Sequence, residues 1–170
     1  MDADFGGLFG VEDPTDPVCA KSRTGYVIML ADCPLVWTSK LQSTIALSTQ
    51  NAEYVALSQS LRDLVPIREM LLDLAGTLNL GTDIPILTQS QAFEDNAAAL
   101  QFAISGKLIP QNKHIATKYH WFRSHIQSDS NPDGWLQIVK VDTHHQAADI
   151  FTKNLQHDKF VKARLLLCGW

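Results

Sequence analysis

The sequence has little with which to cross a membrane, staple itself with disulfides or cage zinc. No apolar run approaches the ~18 residues a membrane helix needs. The opening Met-Asp-Ala-Asp lacks the basic and apolar regions of a secretory leader. No membrane partner is expected. Its three cysteines, Cys19, Cys33 and Cys168, are scattered and odd in number, so reduced thiols in an intracellular protein are expected. The histidines His120 and His125, and the pair His144-His145, lack the companions of a zinc site. Basic charge is scarce as well: net charge is −4, which argues against a generic nucleic-acid binder.

What is present is a globular composition, 45% hydrophobic and 19% charged over 170 residues. That suits one domain, 1–170, with an ample core. The charge is uneven. Residues 1–85 hold 5 Lys and Arg against 11 Asp and Glu, and residues 86–170 hold 9 against 7. An acidic half joined to a mildly basic half fits a carboxylate site beside a face for a polyanion.

The stretch 43–57 organises the chain. Ile45 and Leu47 alternate with small polar residues and predict a strand. Ser48, Thr49 and Asn51 can cap a helix, and Tyr54, Leu57 and Leu61 recur at helical spacing. Glu53 falls in the first turn of that helix, where a carboxylate suits the helix dipole or a metal ion equally. Before it, Asp2-Ala3-Asp4-Phe5 and Thr24–Leu30 predict strands. Asp32-Cys33-Pro34 predicts a turn and Leu35–Thr38 the start of a third strand, continuing into Ile45–Leu47. The helix runs from about Asn51 to Ala75, and Pro66 should kink or split it.

Further on, Pro85–Glu94 predicts a strand and Ala97–Ile104 a helix. Asp95 lies between them, as a site residue at a strand's end or as a helix cap. A helix is predicted at Ala116–Ser128. Its basic and aromatic residues, among them Lys118 and Arg123 with Lys113 just before, suit a face that tracks a nucleic-acid backbone. Tyr119, Phe122 and Ile126 would be its core side. Asn131–Gly134 is a turn. Trp135–Val141 alternates as a strand, and the loop Asp142–Gln146 follows. Ala147–Lys153 starts a helix with Asp149 in its first turn and Lys153 as its i+4 partner. A last helical piece covers Asp158–Leu167.

This order, β-β-β-α-β-α-α-β-α with an acid at four element ends, resembles the ribonuclease H fold. The wording is similar to the ribonuclease H domain of copia-type retrotransposon polyproteins. The matching blocks are Asp2–Phe5, Thr24–Val27, Trp37–Lys40, Ala46–Ser48, Ala52–Tyr54, Glu94–Asn96, Lys113–Ile115, Tyr119-His120 and Ala148–Lys153. They stand in order over nearly the whole chain.

The resemblance implies an α/β fold with a mixed five-stranded sheet, three antiparallel strands then parallel ones, and helices on both faces. It implies catalytic carboxylates Asp2, Glu53, Asp95 and Asp149 holding two Mg²⁺ ions, with Mn²⁺ able to substitute. Asp4 is the alternative to Asp2. The implied reaction is cleavage of the RNA strand of RNA–DNA hybrids, beside a reverse transcriptase upstream in the same polyprotein, in a cytoplasmic retrotransposon particle. Hard oxygen donors suit Mg²⁺. His144 and His145 occupy the loop where cellular relatives carry a proton-transfer histidine. Gln50 and Asn51 could sense RNA 2′-hydroxyls. Ala97 departs from the family's usual polar residue. The competing classes are a catalytically silent module on the same fold and a nuclease or integrase acting on DNA. With one residue ahead of it, Asp2 is expected to be frayed, with a gap toward the strand ending at Asp95 and a gain from upstream extension.

Overall fold

The computed structural model describes residues 1–12, 15–81, 89–105, 115 and 117–169. Its strands are β1 (Asp2–Asp4), β2 (Arg23–Leu30), β3 (Cys33–Leu41), β4 (Ser90–Glu94) and β5 (Leu136–Lys140). Its α-helices are α1 (Thr49–Thr77), α2 (Ala97–Ser105) and α3 (His157–Cys168). The chain is thus mixed α/β, with antiparallel β1-β2-β3 and parallel β4-β5.

The expected single five-stranded sheet is divided: three strands form one sheet and two the other. β1 has three residues, and its ladder runs to β2, with Asp2 opposite Gly25. Across the seam to β4, side-chain and amino-group bonds replace a ladder. The Met1 amino group donates to Phe93 O at 3.3 Å. Gln146 Nε2 donates to Met1 O at 2.7 Å and reaches Phe93 O at 3.5 Å.

Side chains alternate across a strand, and β2 uses both faces. Thr24 and Tyr26 look toward α1: Gln42 Nε2 links Thr24 Oγ1 (3.1 Å) to Ala52 O (2.8 Å), and the Tyr26 hydroxyl donates to Asp63. Gly25 looks the other way, onto Ala148–Thr152. A Cβ there would lie 2.5 Å from Thr152 Cγ2 and 2.8 Å from Phe151 Cβ. Only glycine admits that approach.

Several boundaries differ from the pattern. Ile45–Leu47 is not a strand; the chain leaves the sheet after Leu41 and turns into Ser48, which caps α1 by accepting from Asn51 N–H at 3.1 Å. The turn at 32–34 shrinks to Ala31-Asp32, both at positive φ, and Cys33 already pairs with Leu30. Helix α1 continues through Pro66. Both Pro66 and Arg62, whose carbonyl loses its donor, are exposed, so water can serve it. Residues 51–58 are buried all round, as befits a helix inside the core.

The expected helix 116–128 is instead two 3-10 turns, Thr117–Tyr119 and Trp121–His125. They wrap α1: Tyr119, Phe122 and Ile126 are buried as expected, and Trp121 Nε1 donates to Ser58 Oγ at 3.0 Å. Ala147–Phe151 is also a 3-10 turn rather than a helix start. Part of the expected strand before Gln89, and Pro110–His114, lie outside the described residues.

Candidate metal centre

Asp2, Glu53 and Asp95 come from β1, α1 and the end of β4. One carboxylate oxygen from each lies within 4.8 Å of the others. Each is positioned for a local reason. Asp2 is fully buried in β1, opposite Gly25. Against the fraying expected of Asp2, three pairs with β2 hold the strand, and two side chains hold the carboxylate. Glu53 sits one turn into α1, because the helix starts at Thr49 rather than Asn51. It is therefore beyond the exposed amides of the first turn, and the dipole explanation weakens. Asp95 does not cap α2. Asn96 does, its Oδ1 accepting from Ala98 and Ala99 N–H at 3.0 Å each.

The fourth acid, Asp149, joins through a lysine. Lys153 Nζ donates to Asp2 Oδ1 and to Asp149 Oδ1, both at 2.9 Å. Thr152 Oγ1 donates to the other oxygen of Asp2. The Gly25 notch makes this possible, since it lets Ala148–Thr152 settle onto the strand opposite Asp2. Asp4 is half-buried on the same strand face, is not one of the three grouped acids, and has its carboxylate packed over Gly7.

The electrostatics follow burial. Glu53 is pushed up to about 10, first by desolvation and then by the charges of Asp2, Glu94 and Asp95. Its Oε2 is buried and has no hydrogen-bond partner among the described residues. Asp149 is raised by burial despite Lys153. Lys153 is raised above its ordinary value: its two carboxylates outweigh its own desolvation.

Sequence reasoning missed Glu94. It is fully buried and raised to about 7 by burial; Oε1 accepts from Asn96 N–H at 2.9 Å, and Oε2 has no partner among the described residues. Its signal was the two-residue alternation that also buries Ala92.

The outer candidates divide. Gln50 Nε2 donates to Ala98 O at 3.2 Å, tying α1 to α2, and Asn51 is buried beside it. Lys118 is exposed, with its ammonium 4.9 Å from the Tyr119 ring centre. Arg123 turns inward: it stacks 4.7 Å over Phe102 and 5.6 Å over Tyr54, and Nη2 donates to Phe102 O at 3.1 Å. Lys113 lies outside the described residues. His144 and His145 are exposed on a 3-10 turn capped by Asp142. His144 shares a pocket of about 40 Å³ with Asp149, Lys159 and Lys162, whereas His145 borders a larger apolar cavity of about 670 Å³.

A buried, partnerless Glu53 oxygen facing two more carboxylates is short of a cation. An all-oxygen donor set fits a hard divalent ion such as Mg²⁺.

Over 142 residues, 82% of its length, the chain is 29% identical to the retrovirus-related Pol polyprotein from transposon TNT 1-94 of Nicotiana tabacum. Over 159 residues, 94% of its length, it is 32% identical to those from transposons RE1 and RE2 of Arabidopsis thaliana. These relatives are retrotransposon polyproteins. The chain spans 10%, 9% and 10% of their lengths respectively, so the likeness is to one segment of each. No family model matches the chain. No solved structure matches it either. Among the described residues no helix is long and apolar enough to cross a membrane.

Proposed function

We propose that this chain is the ribonuclease H domain of a copia-type retrotransposon polyprotein, a metal-dependent endonuclease that cuts RNA within RNA–DNA hybrids. The observation that carries the reading is the meeting of Asp2, Glu53 and Asp95, from three distant elements, around an unpaired buried oxygen. A bound divalent ion supplies positive charge to a phosphoryl oxygen and makes a bound water more acidic. Asp2, Glu53 and Asp95 would hold it, with Asp149 completing the set for a second ion. Mg²⁺ is the natural occupant and Mn²⁺ a substitute. Thr152 orients Asp2. His144 would be the residue to carry a proton, a choice supported by the pocket it shares with Asp149. Lys118 offers an exposed charge to a phosphate backbone. An upstream reverse transcriptase in the same polyprotein would supply the hybrid, inside a cytoplasmic particle.

The test is to incubate labelled hybrid, duplex DNA and single-stranded RNA with the protein, with and without Mg²⁺. Cleavage of the hybrid RNA alone, dependent on Mg²⁺ and abolished by Asp95→Asn, is the expected outcome. Near-wild-type cleavage by Asp95→Asn would sink the assignment. The second reading is a silent binding module, favoured by the lysine already lodged between Asp2 and Asp149. Tight hybrid binding without any cleavage would select it.

A further inference from the structure

We infer that Lys153 is a built-in cation that occupies the position between Asp2 and Asp149 and must swing out before a metal ion can bind there. The inference rests on the metal-dependent reading above and concerns how that site fills.

The four acids are not equally available. Asp2 has both oxygens engaged, one by Lys153 Nζ and the other by Thr152 Oγ1. Asp149 Oδ1 takes the same ammonium, 2.9 Å away. One half of the site, Asp2 with Asp149, thus already holds a positive charge. On the other half no ammonium is bonded to a carboxylate among the described residues: the buried Met1 amino group lies near these acids but donates to Phe93 O. Glu53 Oε2 is buried without a partner, and one Glu53 oxygen lies within 4.8 Å of oxygens of Asp2 and Asp95.

An ammonium and a divalent ion bind carboxylate oxygens in the same way, through charge and short contacts, so they exclude each other. An ion at Glu53 and Asp95 meets Lys153 only at the shared Asp2. The Asp149 half can accept one only by giving up Lys153. The lysine is able to leave: its stem has four rotatable carbons, and about a third of the side chain (35%) is exposed while Asp2 beneath it is wholly buried. The two halves should therefore fill in order and with different affinity. The lysine also keeps Asp2 and Asp149 from repelling each other while no ion is present.

Calorimetric titration of Mg²⁺ into the wild type, Lys153→Met and Lys153→Arg, without nucleic acid, tests this. Lys153→Met should tighten the weaker of two binding steps tenfold or more and the stronger step by much less. Lys153→Arg, which keeps the charge, should leave the weaker step as weak as in wild type. A second measurement needs no variant: reductive methylation of the wild type, read peptide by peptide in a mass spectrometer. Saturating Mg²⁺ should speed labelling of Lys153 several-fold and leave Lys118 unchanged. If Lys153→Met does not fold, the labelling result decides. Equal Mg²⁺ binding by wild type and Lys153→Met, or unchanged labelling of Lys153, overturns the lysine's role while the metal site stands. No Mg²⁺ binding by any folded protein of the set overturns the metal reading and this inference with it.

Discussion

Glu53 and Asp149 were legible as acids at element ends, but their surroundings were not, and burial raises both while only Asp149 has a lysine to offset it. Glu53 is pushed to about 10, so without metal it takes up a proton on folding at neutral pH. A folded pKa above the unfolded one (about 4.5) contributes stability fully below pH 4.5 and loses it steadily as pH rises toward 10. At pH 7 the cost is on the order of a few kcal/mol. Glu53→Gln, a near copy of the protonated acid, should raise the melting temperature in chelator by roughly 5–10 °C at pH 8. It should also flatten the fall in melting temperature between pH 5 and pH 9. Asp149 is raised as well, so Asp149→Asn should also raise the chelator melting point at pH 8, but by less, because it strips Lys153 of a partner. Melts across pH decide it; a lower melting point for Glu53→Gln would show that the acid is not strained. The i+4 spacing revealed Lys153 as a partner of Asp149. Its second bond, to Asp2 across 151 residues, was beyond any local pattern.

Among the elements, those with strong periodicity were readable: β2, most of β3, α2, β5 and α3 lie within a few residues of their expected places. The 3-10 turns at 117–125 and 147–151 were not. They share the three-to-four-residue spacing of a helix, and tertiary contacts, not local pattern, choose between the two. The contact that matters most is at Gly25. Gly25→Ala sets a Cβ 2.5 Å from Thr152 and 2.8 Å from Phe151, so the turn carrying Asp149 must rise off β2. Overpacking of this kind costs about 1–3 kcal/mol. Displacing the fourth acid by about 1 Å should cost roughly a hundredfold in hybrid cleavage. Unchanged cleavage by a folded Gly25→Ala would mean that the turn does not set the site.

The same segments sort the basic residues. Lys118→Ala should make log hybrid affinity less steep against log salt by about one unit and leave melting unchanged. Arg123→Ala should leave the salt slope alone and lower the melting point, since it removes the stack on Phe102 and Tyr54 and the bond to Phe102 O. A reduced salt slope for Arg123→Ala would return it to the binding face.

For the whole molecule, the sequence predicted five strands in one sheet with a gap before the strand ending at Asp95, and the structure divides them into two sheets. Local pattern says that a strand exists; it does not say how many backbone partners reach it. Here Met1, Phe93 and Gln146 bridge the seam with three bonds. The seam runs through the acids: Asp2 stands on one side, Asp95 and Glu94 on the other, and Glu53 reaches both from α1. An ion held by Asp2 and Asp95 would be a rivet through two plates. It should stiffen the molecule as it arms it. Hydrogen exchange in peptides covering 1–4 and 90–95 should slow together when Mg²⁺ is added, while β3, remote from the joint, keeps its rate. Asp95→Asn should abolish the effect, and no change in either peptide would mean that the plates carry no shared load.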